Sequence, residues 1–191
     1  MASDSFNQGN VPSALNRIVT GQRKDGGSQI AMHSVPPRTD VFKHIPGMVS
    51  RLVWATPAAP KLPFDGADPT ADVASLVPAP GETRLLVVTF PPDSVFAAAD
   101  FNGQAAFEEN LAVSPGLAER FEPDGMHETP TVDYGILLDG ELWLELDDAV
   151  QTRLKPFDIV VQNGTRHAWR NKSDRPATVA FVLIGARRAV E

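Results

Sequence analysis

The 191 residues include no cysteine, which excludes disulfides, thiolate metal sites and cysteine nucleophiles. A cysteine-free chain also fits a reducing compartment. Positive charge is scarce as well: 17 Lys and Arg against 24 Asp and Glu give a net charge of −7. A nucleic-acid-binding domain would show a basic face, so that class is set aside. No basic segment runs into an apolar stretch at the start, and no apolar run approaches the length of about 18 residues that a membrane span needs. A cytoplasmic protein without membrane or nucleic-acid partners is expected. Long helices are also expected to be few, because 17 prolines and 14 glycines are spread along the sequence.

What is present is a chain of ordinary globular make-up, 42% hydrophobic and 21% charged, of a length that suits one domain with a decorated edge. Residues 1–10 are polar and expected to fray. Three short apolar or β-branched runs follow, within "NRIVTG", "SQIAMHSV" and "SRLVWAT". "KDGG" separates the first two, so Arg17–Thr20 and Gln29–Ser34 are predicted to form a hairpin. Pro57 to Pro80 has little periodicity and reads as a long surface loop, whereas "RLLVVTF" (Arg84–Phe90) reads as a strand buried on both faces. Residues 95–123 contain helix formers, divided by Gly103, Pro115 and Gly116 into short pieces, with Ala105, Phe107, Leu111 and Leu117 as anchors. That insertion is either a lid or a spacer packed on the outside.

From Asp133 onward the pattern is strand and turn. Leu142, Leu144 and Leu146 alternate with Glu141, Trp143 and Glu145, and "ATVAFVLI" (Ala177–Ile184) reads as a second strand buried on both faces. Short strands at this spacing indicate an antiparallel sandwich or barrel. Two stretches in this region, "GMHETPTVDYGILLDGE" and "FDIVVQNGTRHAWRN", each carry a histidine at the mouth of a predicted strand, His127 and His167.

These stretches resemble the two motifs of the cupin superfamily. In the first, His127 stands at the first histidine of the family pattern, Thr129 at the second, Asp133 at the glutamate and Gly140 at the closing glycine. In the second, Gly164, His167 and Asn171 match, while Phe157 replaces a glycine and Gln162 a proline. The resemblance implies an all-β fold: a double-stranded β-helix (jelly-roll) cupin barrel over 84–186, with an N-terminal strand extension over 1–83, a short helical insertion and a tail at 187–191. It resembles a branch of small single-domain cupins, some of which sit beside aromatic or polyketide metabolism.

The resemblance implies a site of His127, Asp133 and His167, catalytic and metal-ligating, lined by Thr129 and Trp169. Two histidines and a carboxylate would form a facial triad for a divalent metal such as iron, manganese, zinc or nickel. Threonine in place of an imidazole and aspartate in place of glutamate leave a metal-free alternative, in which Thr129 and Asp133 hydrogen-bond each other or His167. The implied function is an enzyme acting on a small aromatic or carboxylated metabolite, of oxygenase, decarboxylase, dehydratase or isomerase type. The alternative is a non-catalytic small-molecule-binding cupin. Glu128 and Tyr134 should point away from the cavity by strand alternation. Arg166 is either a carboxylate-recognising group or a solvated turn residue, Asn171 closes a turn, and His33 and His44 are surface residues. A homodimer is expected, because the N-terminal strands Arg17–Thr20, Gln29–Ser34 and Arg51–Ala55 need a sheet to join.

Overall fold

A computed structural model describes residues 15–188, so the expectation about residues 1–10 lies outside the described residues. Eleven strands and one α-helix are present: β1 Arg17–Gln22, β2 Ser28–Ser34, β3 Arg38–Val41, β4 Val49–Thr56, β5 Thr83–Phe90, α1 Gly103–Val113, β6 Thr131–Asp139, β7 Leu142–Glu145, β8 Gln151–Leu154, β9 Ile159–Asn163, β10 Ala168–Arg170 and β11 Ala177–Gly185. They form a two-stranded ribbon β1-β2, a three-stranded sheet β10-β7-β8 and a six-stranded sheet β3-β4-β5-β11-β6-β9. Every pairing is antiparallel. This is the all-β jelly roll expected from the sequence.

Alternation places the core. On β6, Thr131, Asp133, Gly135 and Leu137 are buried while Tyr134 and Leu138 are exposed. On β11 the same alternation buries Ala177, Val179, Phe181 and Leu183. Leu142 of β7 and Leu154 of β8 join them in one cluster with Leu52, Leu86 and Leu137, so the two larger sheets close face to face over a shared apolar interior. β11 alternates where a strand buried on both faces was expected, because nothing as continuous as the second sheet covers its outer face. Gly140 turns the chain from β6 into β7 at φ +85°, and a Cβ there would meet the Pro176 carbonyl oxygen at 2.6 Å.

The β1-β2 hairpin forms as expected, with a bulge between Val19 and Thr20. β3 is an additional strand that sequence alone did not signal; it pairs with β4, which pairs with β5. The segment between β4 and β5 lacks a helix or strand, yet it is more than a surface loop. Thr70 and Leu76 are fully buried, and Leu76 belongs to the main core.

The insertion is better ordered than the glycines and prolines suggested. α1 runs unbroken for 11 residues. Gly103 opens it instead of dividing it, because the Asn102 side chain accepts the Ala105 amide at 3.0 Å and supplies an N-cap. Its buried anchor is Ala106, not Ala105 or Phe107, and Phe107 is 45% exposed. Ala106 packs with Phe42 and Ile45 in a second small cluster. The Glu109 carboxylate then ties helix to loop by accepting the backbone amides of Lys43 and His44, each at 2.8 Å.

Candidate active site

His127 and His167 come together although 40 positions separate them. They form an antiparallel bridge just before β6 and β10, each donating its amide to the other's carbonyl at 2.9 Å. The imidazole rings lie with centroids 4.3 Å apart. Phe121 packs on the His127 ring at 4.2 Å, and Trp169 meets the His167 ring edge-on at 5.5 Å.

Each Nδ1 faces a backbone carbonyl, Gly125 at 3.3 Å for His127 and Thr165 at 2.9 Å for His167. A carbonyl only accepts, so Nδ1 carries the proton in both rings and each Nε2 is left with its lone pair. Burial pushes the His127 imidazole down to about 4, with the neighbouring His167 adding to the effect. Burial lowers His167 too. At neutral pH both rings are uncharged hydrogen-bond acceptors.

Asp133 lies on the same inward face of the chain as His127 and Thr129, at alternate positions. It is 8% exposed, and its Oδ1 has no hydrogen-bond partner. Burial pushes its carboxyl up to about 6, and the Thr131 hydroxyl offsets only part of that push. The expected bond from Thr129 to Asp133 or His167 does not form. Thr129 instead shares a 2.6 Å hydrogen bond with Thr131, and Asp133 Oδ1 is left without a partner.

His127, His167, Phe121, Thr129 and Asp133 line one cavity of about 640 Å³, together with Trp169 and Gln162. Gly135 keeps it open between Asp133 and the aromatic wall, since a Cβ there would meet Phe181 at 3.1 Å and Trp169 at 3.6 Å. Sequence reasoning missed the far wall: Phe42, Ile45 and Met48 from the loop before β4, and Phe101 and Ala106 from the insertion. The insertion therefore roofs the cavity.

His127 and His167 converge, but Asp133 does not join them in a three-donor group. Among the described residues no three His, Cys, Asp or Glu side chains are placed to hold a metal ion. The facial triad of His127, Asp133 and His167 is thus not assembled, and two imidazoles alone fall short of the three protein ligands such a centre uses. The donor set present does not fit it.

The remaining residues take structural places. Asn171 donates to the Phe90 and Arg175 carbonyls and accepts from Ser173, closing a turn. Arg166 is engaged by Glu122 and Asp147 at 2.6–2.7 Å, so it is not free to receive a carboxylate. Glu128 points outward to Arg188, Tyr134 is exposed, and His33 and His44 are on the surface. No helix among the described residues is long and apolar enough to cross a membrane.

No family model matches the chain. Phomopsin biosynthesis cluster protein C' of Diaporthe leptostromiformis is 52% identical over 63 residues, 32% of this chain and 33% of that protein. A cupin-domain-containing oxidoreductase of Aspergillus ruber is 32% identical over 86 residues, 40% of this chain and 42% of that protein. The matched stretches span less than half the length of either relative. Among solved structures, the cupin-2 domain of an XRE family transcriptional regulator from Enterobacter cloacae aligns with TM-score 0.34 and 17% identity, over 55% of this chain and 83% of that one.

Proposed function

We propose that this chain, which belongs to the cupin superfamily, is an enzyme that moves a proton on a small organic molecule held between His127, His167 and Asp133. The observation that carries the reading is the mismatch of surroundings within one cavity. Two neutral imidazoles present free Nε2 lone pairs, while a buried carboxyl with an unpartnered oxygen holds its proton to about pH 6. Groups whose environments push their proton affinities apart supply an acid and a base in one site. An imidazole accepts a proton from the substrate, and the Asp133 carboxyl returns one elsewhere on it. Isomerisation, dehydration and decarboxylation all draw on this chemistry.

Supporting the reading is the burial of the reacting groups, His127, His167 and Asp133 each being at most 8% exposed, which strengthens electrostatic interactions among them. The test is deuterium exchange: the protein is incubated in heavy water with a panel of enolisable aromatic ketones and aldehydes. Catalysed incorporation that is lost in both Asp133→Asn and His167→Ala is expected. No incorporation for any panel member, or incorporation unchanged in both variants, removes the enzyme reading and leaves a binding module. Metal content measured on the same preparation addresses the divalent-metal alternative; a stoichiometric first-row metal lost on His167→Ala would reinstate it.

The proposal extends to a homodimer. Ile18 and Ile30 of the β1-β2 ribbon are 61% and 63% exposed, an apolar surface that pairing would cover. Light scattering at twice the 20.6 kDa chain mass supports it, and a monomer removes it.

A further inference from the structure

The cavity wall has a consistent chemical bias. Rings dominate it, among them Phe42, Phe90, Phe101, Phe121, Trp169 and Phe181. Several are already set edge-on to one another: Phe90 and Phe181 at 83°, Phe96 and Phe101 at 81°. A flat aromatic guest extends such an arrangement without disturbing it. The volume of about 640 Å³ is that of a site for a ligand of ordinary organic size.

Charge in the wall is largely spent within it. Of its carboxylates, Glu122 and Asp124 face Arg166 at 2.6 and 3.7 Å and Asp93 accepts the Asn171 amide at 2.9 Å, and Arg170 is the one Lys or Arg in the wall among the described residues. Arg170 is committed, its Nε to Glu145 at 2.6 Å and its Nη1 to the Asp124 carbonyl at 2.7 Å. An anionic guest would be buried without a counter-charge, which is strongly unfavourable. The unspent polar atoms at the catalytic end are acceptors: Nε2 of His127, Nε2 of His167 and Oδ1 of Asp133. Gln162 commits one of its two amide N–H groups to the Thr165 carbonyl at 3.2 Å. Acceptors left over in a buried site are matched by a ligand that donates.

From these two features we infer that the substrate class is an uncharged aromatic carrying a hydroxyl, phenolic or benzylic, directed at His127, His167 and Asp133, and that aromatic carboxylates are rejected. This rests on the reading of the cavity as the active site and narrows it, since the sequence had left aromatic and carboxylated substrates equally open. Rejection comes from the lack of an uncommitted cation in the wall and selection from its unspent acceptors.

The test is calorimetric titration of the full chain at about pH 7.5 with four probes of one shape: 2-naphthol, 2-methoxynaphthalene, 2-naphthoate and 2-naphthylmethylammonium. The expected order has 2-naphthol tightest, the methyl ether several-fold weaker for want of a donor, and naphthoate weaker by at least about tenfold. Phe101→Ala, with an unchanged melting temperature, weakens 2-naphthol by about fivefold and locates it in the cavity. Naphthoate binding as tightly as naphthol, the ammonium binding tightest, or no probe binding at about 1 mM would each overturn the inference. Selective naphthol binding without any catalysed exchange keeps the substrate class and removes the enzyme reading, whereas exchange together with a preference for naphthoate does the reverse.

Discussion

Asp68, in the segment between β4 and β5, and Asp133, on the wall of the cavity, are the same side chain in opposite surroundings. Asp68 is fully partnered. The Arg17 guanidinium meets both of its oxygens, one at 3.2 Å, and the Thr70 hydroxyl and amide donate at 2.7 and 3.0 Å. The Arg17 hydrogen bonds, chiefly, hold its carboxyl down at about 2. Arg17 also stands over Trp54 at 5.7 Å and donates to the Val53 carbonyl at 3.2 Å, so this one pair fastens the N-terminal ribbon to β4. Asp133 is as buried as many core residues, yet one of its oxygens meets nothing and its carboxyl is pushed up to about 6. A fold that gives the half-buried Asp68 four hydrogen bonds has no general difficulty in partnering a carboxylate. The unsatisfied one lies in a cavity beside two neutral histidines, where an available proton has a use.

The comparison breaks most visibly in activity. Asp133→Asn is expected to reduce catalysed exchange by about 10²–10⁴-fold, the usual worth of a positioned acid or base, while Asp68→Asn leaves it within a few-fold. Comparable losses in both variants would erase the distinction. In stability the ranking inverts. Asp68→Ala leaves Arg17 buried without its partner and is expected to cost about 3 kcal/mol, read as a fall of about 6–12 °C in Tm. Asp133→Asn at about pH 8 is expected to raise stability by about 1–2 kcal/mol, because the carboxyl it replaces is ionised there against its burial.

The pH dependence sharpens this. Asp68 has its affinity for protons lowered on folding, so its contribution is present above about pH 4 and is lost as pH falls through about 2. Asp133 has its affinity raised from 3.8 to about 6, so its contribution is present below 3.8 and is lost as pH rises through about 6. His127 is lowered from 6.5 to about 4, which gives stability above 6.5 that is lost as pH falls through about 4. Between about 4 and 6 the Asp133 and His127 effects oppose one another. Removing Asp133 should therefore make unfolding midpoints fall more steeply on acidification through that window than in the parent protein, and parallel curves would contradict the assignment. The smallest effect expected is at the roof. Glu109→Gln weakens the two backbone bonds to Lys43 and His44 and should cost about 1 kcal/mol in chemical denaturation, with little change around His127 and His167.

The barrel was legible because its evidence is local. Alternation along Thr131–Asp139 and the turns at Gly140 and Gly164 are written in adjacent residues, and they placed His127, Thr129 and Asp133 on one face without any tertiary information. Facing that set toward His167 required only the second motif. Two things were not legible. The first is the roof, because Phe42, Ile45, Phe101 and Ala106 meet across some 60 positions of sequence and α1 buries only one small residue. The second is how the polar groups divide their hydrogen bonds. Thr129 and Thr131 lie two apart on one face and satisfy each other at 2.6 Å, which strands the Asp133 oxygen; no rule of spacing distinguishes that outcome from a bond between Thr129 and Asp133. Nor does spacing decide whether a short carboxylate that shares a face with the imidazoles reaches them, and among the described residues no three-donor group is found.

The most direct test is a carbon-13 NMR titration of the aspartate carboxyls, with Asp68→Asn and Asp133→Asn assigning the two resonances. Asp133 is expected to titrate near pH 6 and Asp68 near 2, while the His127 ring stays neutral down to about pH 4. An Asp133 resonance titrating at the ordinary value of about 3.9, with His127 protonating near 6.5, would contradict it.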